Sequence, residues 1–498
     1  MNDMTVDVWR SRAKDLKVNG NAFIDGRYVG ALSEETFESI NPATGKLIGQ
    51  ITAAEQVDVD RAVAAARRAF EKGVWSRAAP RERKAKLLKF AELMETHADE
   101  LSLLETLDMG KPIRDSLSVD LPLSINCIRW YAEAIDKVYD EIAPTAPSAI
   151  SLIRREPLGV VAAVVPWNFP LLMACWKIAP ILAAGNSVVL KPAEQSSLTA
   201  IRIAEFVAAA GIPDGVFNVL PGRGEIAGKA LGLHMDIDCI AFTGSTEVGK
   251  YFMQYSGQSN LKRVGLECGG KSPHIIFADA PDLDAAAAAA AWGIFYNQGE
   301  VCNAGSRLIV EDKVKDQMVE KIIATAKAMK VGDPLDPKTD IGAMVDAKQA
   351  DTVMRYIESG IAEGADLRLG GKRLKVDGSG YFIEPTLFDK VDNKMKIAQE
   401  EIFGPVLATI SVKDEDEAIA VGNDTIYGLA AGVWTSDINR AFKVSQSLRA
   451  GVVWVNCFDH GDMSSPFGGF KQSGSGRDKS LHAMEKYTDL KATWINLG

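Results

Sequence analysis

Apolar positions in residues 58–72 fall on one face of a helix: Val59, Ala62, Val63, Ala66 and Phe70 recur at helical spacing, and Gly73 stands where a helix ends. Two further helices are expected over 80–105 and about 121–136. From about residue 158 the pattern changes. Short β-branched runs at 159–165, 187–190, 215–220 and 239–243 are each followed by a helical stretch, at 171–184, 197–210, 225–233 and 246–256. This alternation predicts an α/β fold with a parallel sheet covered by helices. Ligands of such sheets bind at the carboxyl ends of the strands. Here those ends read Pro166-Trp167-Asn168, Lys191-Pro192, Gly222-Arg223-Gly224 and Thr243-Gly244-Ser245, polar or glycine-rich turns of the kind a dinucleotide needs. A second alternating region, 307–455, has strand candidates at 307–310, 406–411, 430–435 and 451–456. The segment 487–497 is extended and suited to pairing with another strand or subunit.

Composition narrows the functional classes. The 498 residues carry 56 Lys and Arg against 66 Asp and Glu, a net charge of −10, which argues against a nucleic-acid partner. Six cysteines are scattered with no CxxC pair and no Cys/His spacing of a zinc site, so no metal is expected and a reducing cytoplasm fits. The first 17 residues mix charges with no apolar core, which is no secretory signal. The longest apolar run, the Ala tract at 285–291, is too short to span a bilayer, so no membrane partner is expected.

Three groups are candidates for chemistry. Cys302 follows an Ala-rich helical stretch and the polar turn Asn297-Gln298-Gly299, a place that gives a thiol access and nearby main-chain N–H groups. A buried structural thiol fits the same local sequence. Glu267 closes an apolar strand ahead of Gly269-Gly270, where a carboxylate serves either as general base or as an ordinary partnered acid. The adjacent Cys268 has no access argument of its own. Asn168, held between Pro166 and Pro170, is either a fixed amide donor for an oxyanion or a turn residue. Lys191 and Glu194 are placed to bond a ribose, and a carboxylate there opposes a 2′-phosphate. Gly222-x-Gly224-x-x-Ala227 follows a strand and opens a helix, a weak dinucleotide fingerprint.

Taken in order, PWNFP (166–170), KPAE (191–194), FTGSTEVG (242–249), LECGGKSP (266–273), NQGEVC (297–302), EEIFGPV (400–406) and PFGGFKQSG (466–474) resemble the aldehyde dehydrogenase superfamily, over a span from about Phe23 onward. The resemblance implies a Rossmann-like coenzyme domain (1–137 and 158–268), an α/β catalytic domain (269–477) and a small β oligomerisation arm (138–157 and 478–498). It also implies a homodimer or homotetramer. By the same resemblance Cys302 is the nucleophile, Glu267 the base and Asn168 the oxyanion donor. Trp167, Lys191, Glu194, Gly224, Phe242, Gly244, Ser245, Val248, Gly269, Gln349, Glu401 and Phe403 align with cofactor contacts. The cofactor is NAD, with NADP admitted if Lys191 holds a phosphate.

Substrate contacts are expected from Phe169, Leu172, Met173, Trp176, Phe295, Val301, Asn303, Trp454 and Phe467, whose side chains equally suit a core. Relatives specific for simple apolar aldehydes carry a bulky aromatic where Gly461 stands. Here that position is open and flanked by Asp459 and Asp462, with Asp120 expected near the tunnel mouth; such carboxylates suit an ammonium or guanidinium. The 461–463 loop and the 475–482 stretch are similar to the bacterial γ-glutamyl-γ-aminobutyraldehyde and 4-guanidinobutyraldehyde dehydrogenases. That implies an ω-aminoaldehyde substrate from polyamine or arginine breakdown. The competing readings are a broad-specificity aliphatic or aromatic aldehyde dehydrogenase, a CoA-acylating dehydrogenase (which a base at Glu267 argues against), a cysteine hydrolase or acyltransferase, and a binding protein with silent chemistry.

Overall fold

In a computed structural model, which describes residues 5–376 and 379–498, two mostly parallel sheets form the frame. Residues 1–4 of the expected 1–137 segment lie outside the described residues. The first sheet has the spatial order Arg27–Val29, Ala22–Ile24, Phe217–Val219, Ser187–Lys191, Val160–Val164, Cys239–Thr243, Arg263–Glu267, Gly474–Ser475. The strands from Phe217–Val219 to Arg263–Glu267 pair in parallel, and both edges are antiparallel. Chain order reverses beside Val160–Val164: the next strand lies on one side and Cys239–Thr243 on the other. A crevice opens at such a reversal, where helices leave to opposite faces.

The helices form where their apolar faces can be buried against this sheet. Helix Gln56–Lys72 ends at Gly73, whose φ of 73° is the left-handed cap that glycine takes without strain. Its Val59, Ala62, Val63 and Ala66 pack on Val160, Ala162 and Val189. Full burial of a valine-sized side chain contributes about 1.5–3 kcal/mol. Helix Pro170–Ala184 is buried on nearly every face, which explains its apolar sequence. The single helix expected over 80–105 is two, Pro80–Thr96 and Ala98–Met109, broken at His97. The His97 ring packs against Phe206 at 4.6 Å and lies 2.9 Å from the Leu93 carbonyl. The break comes from this tertiary contact, with no Gly or Pro at the site to announce it.

The second sheet runs Asp366–Leu369, Thr386–Asp389, Val406–Val412, Arg307–Glu311, Pro273–Ile276, Ala430–Trp434, Val452–Val455, parallel except at its first strand. Its first strand in chain order, Pro273–Ile276, was not expected from sequence. A four-residue run opening with Pro and His carries too little β pattern. A third, small sheet joins Thr488–Asn496 to Ala149–Pro157, with Glu141–Ala143 on its other side. Leu490, Trp494 and Ile142 are exposed on it. Among the described residues no helix is long and apolar enough to cross a membrane.

Candidate active site

A cavity of about 550 Å³ opens at the chain reversal of the first sheet and reaches the second. Its walls join the strand ends Pro166-Trp167-Asn168 and Thr243-Gly244-Ser245 to Val301, Cys302 and Asn303, to Glu401-Ile402-Phe403, and to the 459–467 loop.

The loop that carries Cys302 is held from several sides. After helix Leu283–Phe295 the chain turns through three consecutive left-handed residues, Asn297 (φ 48°), Gln298 (φ 58°) and Gly299 (φ 73°). A side chain at Gly299 would strike the main chain of Gly404 at 2.3 Å, so only glycine fits. Gln298 clamps a neighbouring strand of backbone: it accepts from the Gly342 N–H at 3.0 Å and donates to the Ala343 carbonyl at 3.1 Å. Glu300 accepts from the Val345 N–H at 3.1 Å. Asn297 donates to the carbonyls of Asn168 and Glu300, both at 3.2 Å. Asn168 in turn donates to the Glu300 carbonyl at 2.8 Å. A primary amide has two N–H donors, so one remains for the cavity that Asn168 lines.

Cys302 is half-buried, whereas Cys268, also at the cavity wall, is only 4 % exposed. Access therefore favours Cys302. Burial pushes the Cys302 thiol well above its usual range, and the charges of Glu401, Asp459 and Glu267 push it the same way. Cys268 is raised to about 12, again mainly by burial.

Glu267 ends strand Arg263–Glu267 and is buried. Neither carboxylate oxygen has a hydrogen-bond partner among the described residues. A side chain at Gly468 would lie 2.8 Å from Glu267 Oε1. Behind it, Asp478 accepts from Lys177 and Lys486, each at 2.5 Å. Burial raises the Glu267 pKa, Asp478 adds to this, and Lys177, Lys486 and Arg477 oppose it. The side chain of Glu267 does not line the cavity; its neighbours Cys268 and Gly269 and the facing Phe467 do.

The remaining expected residues divide into groups. Gly244, Ser245, Trp167, Gly269, Gln349, Glu401 and Phe403 line the cavity together. Glu401 accepts from the Gly270 N–H at 3.1 Å, and any side chain at Gly269 would meet Glu401 Oε2 at 1.9 Å. Burial raises Glu401 to about 7. Gln349 donates to the Ile402 and Phe403 carbonyls at 3.1 and 2.8 Å, and Phe403 meets Trp167 edge to face at 5.1 Å. Lys191, Glu194 and Gly224 lie outside this cavity as a separate cluster at the next strand end. There Lys191 Nζ is 2.9 Å from the Pro192 carbonyl and 3.4 Å from Glu194, which accepts from the Gly224 N–H at 3.4 Å. The Phe242 ring is buried in the core under Gly244, packed on Phe252. Val248 is 38 % exposed on the first turn of helix Thr246–Gln258, and its N–H donates to the Ser245 side chain that caps that helix.

Of the expected substrate contacts, Phe169, Leu172, Met173, Trp176, Val301, Asn303, Trp454, Asp459, Asp462 and Phe467 line the cavity. Two do not. Phe295 is fully buried in the core beside the second sheet, because its helical position faces inward. Asp120 is also fully buried and ion-paired with Lys111, whose ammonium sits 3.9 Å from the Phe169 ring centroid. It is a structural charge beneath the wall, away from the mouth. Lys479, Tyr296 and Tyr356 line the cavity without having been singled out. Among the described residues no group of three or more His, Cys, Asp or Glu is arranged to hold a metal.

Comparison with known proteins identifies the family. The family model described as the aldehyde dehydrogenase family matches residues 28–493. The chain is 52 % identical over 497 residues to the NADP/NAD-dependent aldehyde dehydrogenase PuuC of Escherichia coli (strain K12), covering 100 % of both chains. It superposes with a TM-score of 0.98 on γ-glutamyl-γ-aminobutyraldehyde dehydrogenase from Burkholderia cenocepacia J2315, at 57 % identity over 99 % of this chain and 100 % of that one. The same TM-score of 0.98, identity of 57 % and coverage of 99 % and 100 % hold for the P. syringae indole-3-acetaldehyde dehydrogenase in complex with NAD+ and IAA.

Proposed function

Because the chain belongs to the aldehyde dehydrogenase family and is an NAD(P)-dependent aldehyde oxidoreductase, we propose that it oxidises an ω-amino- or guanidino-aldehyde to the acid through a thioester on Cys302. The observation that carries the reading is that one cavity is lined by Cys302 and Asn168, by the strand ends of the parallel sheet and by the carboxylates Asp459 and Asp462.

The residues fit a dinucleotide. At Gly224 a side chain would meet only Glu194, at 3.9 Å, so the turn presents bare main chain, and Lys191 with Glu194 offers a donor and an acceptor beside it. Glu194 repels a 2′-phosphate and favours NAD, while Lys191 leaves NADP usable, as PuuC's name states for that enzyme. Ser245, Trp167, Gln349, Glu401 and Phe403 would hold the other end. When bound, the nicotinamide accepts the hydride that leaves the aldehyde carbon.

The protein's own groups account for the rest. Cys302, once deprotonated, attacks the aldehyde carbon. The free Asn168 N–H and the Cys302 main-chain N–H hold the resulting oxyanion and favour its formation. After hydride loss the thioester is hydrolysed by a water that gives its proton to Glu267. For this Glu267 has to swing from Gly468 into the cavity. Overall, aldehyde, NAD+ and water become carboxylate, NADH and two protons. Free acid as product, with no requirement for CoA, tests this against an acylating reaction.

The carboxylates at the mouth, and the names of similar enzymes, support an amine-bearing aldehyde. If kcat/KM for 4-aminobutyraldehyde fell below that for butanal, the substrate reading would fail. A second reading, an aromatic or broad aliphatic substrate, draws on the walls of Phe169, Trp176, Trp454 and Phe467 and on the indole-3-acetaldehyde enzyme. We further assign the first sheet to the coenzyme domain and the second to the catalytic domain. The exposed Leu490 and Trp494 of the small sheet support an arm that joins copies into a dimer or tetramer, which light scattering would measure. The six free cysteines support residence in a reducing cytoplasm.

A further inference from the structure

Behind the wall that carries Asn168 lie three fully buried charges, Glu105, Lys111 and Asp120. Lys111 and Asp120 form an ion pair, and the Lys111 ammonium also faces the Phe169 ring at 3.9 Å from its centroid. Glu105 accepts from the Leu171 N–H, which lies 3.4 Å from each of its carboxylate oxygens. That N–H belongs to the first turn of helix Pro170–Ala184, where the backbone offers it no partner. A carboxylate there also meets the positive end of the helix. Burial raises the carboxyls of Glu105 and Asp120, and Lys111 is the cation that opposes this in both. Within three residues of Asn168, then, the chain is tied to this cluster twice, through the Phe169 ring and through the Leu171 N–H.

The same segment reaches the Cys302 loop. The Gly110 carbonyl accepts from the Ala343 N–H at 3.0 Å, and the Ala343 carbonyl accepts from Gln298 of that loop at 3.1 Å. A side chain at Gly110 would strike the Ala343 carbonyl at 2.5 Å, and one at Gly342 would strike the Gly110 carbonyl at 2.0 Å. The two backbones therefore meet with no room for adjustment. Residues 105–111 touch both the turn that bears the amide and the loop that bears the thiol.

We propose that Lys111, Asp120 and Glu105 are positioning residues that hold the Asn168 amide where it can donate to the oxyanion formed at Cys302. This rests on the reading of Asn168 and Cys302 given above. Stability alone is a poor reason for such a pair, because the cost of desolvating two charges offsets much of their attraction, and apolar residues of similar size often do as well. Fixing the geometry of a catalytic turn is a reason that apolar packing does not supply.

The test replaces the charges by apolar side chains of similar size, as K111M/D120L and separately as E105L, in the full chain and again with N168A added. NADH formation is followed in single turnover, with enzyme and NAD+ in excess, on 4-aminobutyraldehyde and on butanal. With both partners of the pair gone the fold keeps its stability, which thermal melting checks. The single-turnover rate nevertheless falls about 10–100-fold, the loss expected of a misplaced group. It falls by the same factor for both aldehydes, since the oxyanion is common to them, and the Kd for NAD+ is unchanged. In the N168A background the same replacements cost less than about twofold more, because the group they act through is already gone. A partly unfolded sample does not mimic this, since the rate constant with enzyme in excess does not depend on the active fraction. Each replacement is read by itself, so one that fails to fold leaves the other to decide. A parental rate in a folded replacement, or a loss that multiplies in full with that of N168A, overturns the inference. If N168A alone leaves the rate unchanged, the reading of Asn168 fails. If N168A slows the reaction and the replacements do not, only the positioning inference fails.

Discussion

Around Cys302 the polar side chains, Glu267 excepted, are committed to backbone. Asn297, Gln298, Glu300 and Asn168 each hold a carbonyl or N–H of a neighbouring segment. At the other end of the same cavity, Asp462 and Lys479 are bound to almost nothing beyond their own loops. The inner end is over-determined, as preorganised chemistry demands, since donors that must reorient during reaction lose their advantage. The outer end keeps its charges unspent, ready for a ligand. The difference separates groups that lower a barrier from groups that select what reaches it.

Perturbing the inner end is expected to change kcat steeply. Cys302→Ala should cost at least about 10⁴-fold in turnover and abolish acyl-enzyme seen by mass spectrometry; measurable steady turnover in that variant would break the comparison. Glu267→Gln should slow hydrolysis by about 10²–10⁴-fold while sparing the first hydride transfer, so rapid mixing should show a burst of NADH followed by a slow phase. The same residue sets the pH profile. A base must be deprotonated to act, and burial raises the pKa of Glu267, so the hydrolytic rate should climb as pH rises through that raised value. The limb should vanish in Glu267→Gln. Asn168→Ala should lower kcat by roughly 10²–10³-fold, the loss typical of one oxyanion donor, with KM far less affected. At the mouth the effects should be small and carried by KM. Asp462→Asn should cost an aminoaldehyde about two- to fivefold in kcat/KM, because exposed charges are screened. Raising the salt concentration should shrink even that.

The same contrast explains what could be read from the sequence. The strands Val160–Val164, Ser187–Lys191 and Cys239–Thr243 announce themselves as β-branched runs with polar or glycine turns at their ends, and the cavity opens at those turns. Cys302 and Asn168 sit at local punctuation, a glycine turn and a proline pair, so they too were visible. Groups placed by long-range packing were not. Asp120, expected as a mouth carboxylate, is fully buried in an ion pair with Lys111. Phe295 had the right neighbours in sequence but the wrong face of its helix. Lys479 carries no local mark, because its position depends on the pairing of Asp478 with Phe467.

Strand Gly474–Ser475 closes the edge of the first sheet against Leu266 and Glu267. Seen along the time axis of synthesis, this makes the site a late assembly. Domains fold as the chain emerges, earlier parts first, and Asn168, Glu267 and Cys302 all leave the ribosome well before that strand does. Until residues 474–486 arrive, Glu267 has neither the edge strand beside it nor Asp478 and Lys486 behind it, and the mouth lacks Lys479. From residue 302 until residue 474 a growing chain thus carries its thiol without the partners that would put it to use, and residues 474–486 act as the arming step.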